Sequence, residues 1–208
     1  MTPNDQKSRV TIPTLARYVP EMPEDRDRDA LLLLRRRDPR GFDLAYQQYA
    51  ERVFGFLVRL SRSRSIAEDL FQHTFLRLAE VGPSLRTDSD LRAWLFSVAR
   101  NAFYSHVRAR RVETQARSQP EFQPSQSGAG PESGLLLGEI DRALFSLNRE
   151  DRELLLLVGV ESMSYLEVAD ILGIDQVTAR KRVSRARARF AQALDDEARG
   201  VSKSESMS

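Results

Sequence analysis

SYLEVADILGIDQVTARKRVSRARARF, residues 164–190, divides at Gly173 into two helical patterns joined by a tight turn. Ser164 and Glu167 stand in capping-box spacing, so the hydroxyl can satisfy one free amide while the carboxylate reaches back to the other. Gly173 sits where the first helix needs a left-handed residue to stop. Asp175 is placed to cap the second helix, whose Ala179, Val183, Ala186, Phe190 and Leu194 recur at helical intervals as one apolar seam. At about 100° per residue, Thr178, Lys181, Ser184 and Arg185 lie roughly opposite that seam. Arg180, Lys181, Arg182, Arg185, Arg187 and Arg189 follow one another with no acidic residue between them. Caps, turn, seam and unbroken positive charge together predict a helix-turn-helix that lays its second helix on DNA, against the plainer alternative of a solvated basic helix.

The formal charge of the 208-residue chain is only +2, but its charges are segregated. Residues 28–111 hold sixteen basic against nine acidic side chains, whereas residues 112–139 hold one against four. That contrast predicts a basic module followed by an acidic spacer. With no cysteine there is no disulfide framework and no thiolate metal site, and imidazole comes only from His73 and His106. The longest apolar runs, 31–34 and 154–160, are far too short to cross a bilayer, and the N-terminus lacks the apolar core of a signal peptide. A cytoplasmic protein without membrane insertion is therefore expected.

Outward from the helix-turn-helix, the pattern predicts an all-α chain of two small helical domains. Residues 1–27 mix Pro3, Pro13, Pro20 and Pro23 with charges and read as a flexible arm. Residues 28–111 form the first module. Its helical period begins near Asp29, breaks at Asp38, Pro39 and Gly41, and resumes with Phe42, Ala45, Tyr46, Tyr49, Val53, Phe56, Leu57 and Leu60 on one face. A further helix is expected from Ser65, in capping spacing with Glu68, to about Val81, ended by Gly82 and Pro83. Another carries Trp94, Leu95, Val98, Ala99 and Ala102 into a basic end. Residues 112–138, rich in Gln, Ser, Pro and Gly, read as a flexible acidic linker. Residues 139–199 form the second module, with Asn148 offering a cap, and residues 200–208 should fray.

In residues 91–111, LRAWLFSVARNAFYSHVRARR, aromatics alternate with arginines. That suits single-stranded DNA, because any base can stack on a ring while cations follow the phosphates. Trp94, in phase with Leu95 and Val98, is expected mostly in the core; for Phe103 and Tyr104 the core and the DNA-facing readings stand level. In residues 67–80, AEDLFQHTFLRLAE, an exposed face including Glu68, Asp69, Gln72, His73, Arg77 and Glu80 is either simply solvated or a protein docking surface. A metal site from Glu68, Asp69 and His73 lacks any second cluster of ligands to complete it. No nucleophile elbow and no glycine-rich phosphate loop is present, so no enzyme activity and no cofactor is expected.

DPRGFDLAYQQYAERVFGFLVRL, AEDLFQHTFLRLAE, LRAWLFSVARN and the C-terminal helix-turn-helix, in this order with an acidic linker between, resemble the bacterial extracytoplasmic-function (ECF, group 4) sigma factors of the sigma-70 family. The resemblance spans roughly residues 29–194. It implies a region 2 helical bundle and a region 4 helix-turn-helix, and a protein that binds core RNA polymerase and directs it to promoters. It implies docking on the clamp helices of the largest polymerase subunit through Glu68, Asp69, Gln72, His73 and Phe75, with the C-terminal domain on the flap of the second largest subunit. Arg86, Asp88, Arg92, Trp94, Arg100, Asn101, Phe103, Tyr104 and Arg108 would hold the melted minus 10 strand. Gln176, Thr178, Arg180, Lys181, Arg182 and Arg185 would read the duplex minus 35 element. An anti-sigma factor is an expected partner. Ser105 departs from the family's usual aspartate, residues 162–165 lack its usual glycine, and Asp175, Gln176 and Val177 replace a frequent proline, valine and glycine. The alternative is a stand-alone helix-turn-helix regulator whose first module senses a ligand or dimerises; a sigma-like decoy for an anti-sigma partner is a further one.

Overall fold

The computed structural model describes residues 24–116 and 138–205, and among these every regular element is helical. Helices α1 (Glu24–Arg35), α2 (Pro39–Ser61), α3 (Arg64–Val81) and α4 (Leu91–Ala116) build the first module. Helices α5 (Glu139–Ser146), α6 (Arg149–Leu155), α7 (Tyr165–Leu172) and α8 (Gln176–Glu205) build the second. The linker expectation for residues 117–137, and the arm expectation for residues 1–23, lie outside the described residues.

Three expected boundaries move. Helix α1 starts at Glu24, inside the arm expected to reach Asp27, because Asp27 is anchored: its carboxylate accepts from the Tyr49 hydroxyl at 2.7 Å and from Gln48 at 2.7 Å. Helix α4 runs on to Ala116 and α8 to Glu205, past the expected ends at Arg111 and Arg199; neither extension contains a proline. The cap of α3 is also not Ser65: Ser63 is extended and accepts from the Ile66 amide, so Ser65 falls inside the first turn.

The break between α1 and α2 is a built corner. Asp38 caps α2 by accepting from the Arg40 amide at 3.0 Å, and Pro39 takes a first-turn position where no amide is needed. The Arg40 bonds hold the Asp38 carboxyl at about 2. At Gly41 the helices touch backbone to backbone: a Cβ there would stand 2.5 Å from the Leu34 amide nitrogen, so only glycine lets α1 lie on α2. The buried face of α2, Ala45 to Leu60, meets Leu70 and Leu78 of α3 and Leu95, Phe96 and Ala99 of α4, with Phe56 and Phe96 edge to face at 5.3 Å. Tyr46, expected on that face, is 43% exposed at the end of a ring cluster with Phe42, Phe71 and Phe75.

In the second module α8 is the spine, and its expected seam is buried at Ala179, Val183, Ala186 and Phe190. Helix α6 does not pass directly into α7. Residues Leu156–Val160 open into a π turn, with the Glu161 amide donating to the Leu156 carbonyl five residues back. Ser162 follows with a left-handed φ of 52°, at the place where the family resemblance leads one to expect glycine.

Candidate nucleic-acid interface

The capping box is complete: the Glu167 amide donates to Ser164 Oγ at 3.2 Å and the Ser164 amide donates to Glu167 Oε2 at 2.7 Å. Gly173 ends α7 at φ 65°. Asp175 accepts from the Thr178 amide at 2.8 Å and from its hydroxyl at 2.6 Å, and these bonds hold its carboxyl below the usual carboxylate range. The result fixes the entry of α8 and spends the Thr178 hydroxyl on the cap. Gln176, Arg180, Lys181, Arg182 and Arg185 are all exposed, spread over the helix surface outside the buried seam. Arg180 lies over the Tyr165 ring at 5.6 Å, and Arg187 donates to the Tyr165 hydroxyl at 3.2 Å, so Tyr165 of α7 steadies the edge of this cationic face. Among the described residues Arg180, Lys181, Arg182 and Arg185 pair with no carboxylate.

The α4 face is arranged differently. Arg92 pairs with Glu167, and its guanidinium also approaches the Glu161 carbonyl at 3.5 Å. Arg100 pairs with Glu153, and the Tyr104 hydroxyl donates to the same carboxylate at 2.7 Å. Burial pushes the Glu153 carboxyl up, and Tyr104 and Arg100 only partly offset it. Beside them Arg52 of α2 grips Glu161, donating at 2.9 Å, and burial pushes that carboxyl up as well. Burial would also raise Glu167, but its bonds to Ser164 and Arg92 outweigh it and hold it low. Tyr104 shares the ring edge of Phe103 at 5.3 Å and carries the Arg100 guanidinium at 4.7 Å from its centroid.

The remaining sequence-derived candidates fall into four groups. Asn101 and Arg108 are exposed on α4, and Trp94 is partly buried against the core. Arg86 and Asp88 pair with each other at 2.7 Å on the loop before α4. Phe103 is buried, with Arg149 of the second module over its ring at 5.5 Å, and Phe75 is buried in the ring cluster; neither presents a face to a partner here. Glu68, Asp69, Gln72 and His73 are exposed together on α3, and Asp69 and His73 border a shallow groove shared with Asn101 and Ser105.

Sequence reasoning missed Glu153, Glu161 and Arg152. Arg152 is buried and donates to the carbonyls of Leu144, Phe145 and Leu147 at the end of α5 and to that of Leu60 at the end of α2. Burial, with Arg62 and Arg149 nearby, pushes it down to about 10, so it stays charged at neutral pH. The one hint in the sequence is position: Arg152 and Glu153 stand directly before the apolar run 154–160, where a charge is carried into the interior.

Two helical modules, one presenting a capped cationic helix and the other an aromatic-basic helix, define a bipartite DNA-binding protein. Comparison with known proteins gives its family. The Sigma-70 region 2 family matches residues 45–113 and the Sigma-70 region 4 family matches residues 137–190. The ECF RNA polymerase sigma factor EcfG of Rhodopseudomonas palustris is 36% identical over 139 residues, 67% of this chain and 77% of the relative. SigM of Bacillus subtilis, another such factor, is 31% identical over 71% of this chain and 91% of its own length. The structure of the sigma factor RpoE from Bartonella quintana, in complex with the anti-sigma factor NepR, superposes with a TM-score of 0.62 at 33% identity, covering 74% of this chain and 96% of that one. The chain belongs to the ECF sigma factors of the sigma-70 family, and directs promoter-specific initiation by RNA polymerase through regions 2 and 4. It acts by binding and not by catalysis. A stand-alone regulator with a sensing module is thereby set aside, because the first module is itself sigma region 2. No helix among the described residues is long and apolar enough to cross a membrane.

Proposed function

We propose that α8 reads the duplex minus 35 element with Gln176, Thr178, Arg180, Lys181, Arg182 and Arg185. The α4 face and its preceding loop, with Arg86, Asp88, Arg92, Trp94, Arg100, Asn101, Tyr104 and Arg108, hold the melted minus 10 strand; Phe103 serves this face from beneath. Glu68, Asp69, Gln72 and His73 dock on the clamp helices of the largest polymerase subunit, backed by Phe75, while the second module meets the flap of the second largest subunit. An anti-sigma factor controls the chain in the cytoplasm, by analogy with the complex in which RpoE is found. The domain division follows the same reading, with region 2 ahead of the linker and region 4 behind it.

The observation that carries this reading is the α8 face: Lys181, Arg182 and Arg185 stand exposed and free of carboxylates on a helix whose N-terminus is fixed by the Asp175 cap. Direct readout needs such presentation, because arginine to guanine is the commonest base contact and requires a rigidly aimed fork. Two modules on one chain also let each bind weakly, since the second contact becomes intramolecular. The test is multi-round transcription from a pool of randomised promoter fragments with purified core polymerase, with and without the protein. Protein-dependent transcripts that share two spaced elements support the reading, and loss of the upstream element alone with Arg185→Ala assigns it to α8. Transcripts sharing no upstream element would overturn the α8 assignment.

A further inference from the structure

The two modules are locked together by pairs that cross between them. Arg52 and Arg92 of the first module meet Glu161 and Glu167 of the second, and Arg100 with Tyr104 meets Glu153. At the far end Arg59 faces Asp141 at 3.7 Å, and Arg62 lies over Phe145 at 5.3 Å. Glu153 and Glu161 are 2% and 3% exposed, so they are carboxylates enclosed by the junction and not surface charges that happen to be near.

We propose that this junction is a closed state of the chain on its own, in which Glu153 and Glu167 occupy the cations Arg100 and Arg92 that would otherwise take backbone phosphates of the melted minus 10 strand, with Arg52–Glu161 as the pin. The inference rests on the assignment of α4 to that strand. A carboxylate bound by a guanidinium and a tyrosine hydroxyl is chemically close to a phosphate oxygen in the same place, and the two cannot share it. The two DNA faces are therefore unequal. The α8 face stays exposed while the α4 face is filled, so the free chain can touch duplex DNA yet is closed to a single strand. Strand capture then has to follow opening of the junction.

The closure is also of a kind that opens. Bringing Glu153 and Glu161 out of water offsets much of the attraction they gain, so buried pairs hold loosely while intact. Deleting one partner leaves the other charge enclosed and unpaired, which drives the modules apart. The covalent connection through residues 117–137 keeps them at a roughly millimolar effective concentration, enough for a weak interface to stay shut.

The chain has no cysteine, so Arg36→Cys in the turn after α1 and Gln192→Cys on α8, both exposed, accept a dye pair without competition. Energy transfer is compared in the otherwise unaltered full chain, in Arg52→Glu, in Glu161→Arg, and in the exchanged pair Arg52→Glu with Glu161→Arg. Each chain is also titrated with fluorescein-labelled random single-stranded DNA of about 20 nucleotides and with its duplex. Transfer should change in both single variants and return in the exchanged pair. Single-strand binding should rise about tenfold in Arg52→Glu, as a chain closed about nine-tenths of the time would require, although that variant is the more negative one. Duplex binding should change little.

A second arm does not depend on destabilising any pair. Arg59→Cys and Asp141→Cys joined by a reducible bismaleimide should lose single-strand binding, keep duplex binding, and regain the former on reduction. Unchanged transfer in both single variants overturns the closed state, as does a cross-linked chain that binds single strands normally. If transfer shows opening but single-strand binding does not rise, the occupancy of Arg92 and Arg100 is overturned. If an opened chain binds single strands equally well after Arg100→Ala, the assignment of α4 fails instead, and the transfer result still reports closure.

Discussion

The two cationic helices, α4 and α8, carry similar chemistry and are presented in opposite ways. On α8 the arginines point outward from an apolar seam and find no carboxylate, apart from Arg189, which pairs with Asp151 behind the reading face. On α4 Arg92 in the first turn and Arg100 further along are half-buried and engaged by Glu167 and Glu153. What separates them is context and not composition: α8 meets its own module through Ala179, Val183 and Ala186, whereas α4 is sandwiched between two modules. A basic helix is thus open or filled according to what the rest of the chain lays against it.

The largest change should come from Arg152→Ala, which strikes beneath both faces. It leaves four carbonyls without their shared donor and cuts the link to Leu60, so the second module should lose about 3 kcal/mol or more in urea unfolding. Duplex and promoter activity should fall together. Arg185→Ala should break only the open side, weakening binding to minus 35 duplexes by about 1–3 kcal/mol if it reads a base. A panel of single-base variants checks this, since an equal loss on every sequence would mark a phosphate contact.

Tyr104→Phe acts only on the filled side. It keeps the ring for a base and removes the hydroxyl from Glu153, so closure should weaken by about 1 kcal/mol, read from energy transfer between the two modules. Ser162→Gly should touch neither face: it relieves a left-handed serine and should raise stability by up to about 1 kcal/mol in thermal unfolding. The gentlest lever is pH. Glu153, facing Arg100, Tyr104 and Glu150, and Glu161, facing Arg52, Arg59 and Arg92, are both raised by burial above the ordinary 4.5. The closed state therefore holds protons more tightly than the open one. Closure should strengthen as pH falls from neutral towards that value and weaken as pH rises through the raised ones, until Glu167, held low, begins to lose its pairs in stronger acid. The same energy-transfer pair reads the trend.

Much of this architecture is visible in local sequence because it is locally determined. The Ser164–Glu167 box, the Gly173 stop, the Asp175 cap and the α8 seam each depend on residues within one or two turns, and all form as the spacing predicts. The Ser65 cap fails for an equally local reason, since Ser63 offers a competing hydroxyl one position before Arg64. The junction could not be read in that way. Arg52 and Glu161 are 109 positions apart and Arg100 and Glu153 are 53 apart, and no periodicity links a charge on one helix to its partner on another module. Asp151, Arg152 and Glu153 look like a solvated face until four helices close over them. Phe103 shows the same limit, since its burial needs Arg149 from beyond the linker as well as its own helix.

The π turn at Leu156–Val160 has a consequence for how such a chain tolerates change in length. It adds one residue to a helical path, and one residue is about 100° of rotation. Removing Gly159 would leave every helix of the second module able to form, yet would turn Glu161 and the whole of α7 and α8 away from Arg52 and Arg92. Rotational phase between the two halves is thus set by a single amino acid, and insertions or deletions at that point would be felt as a loss of alignment before any loss of folding.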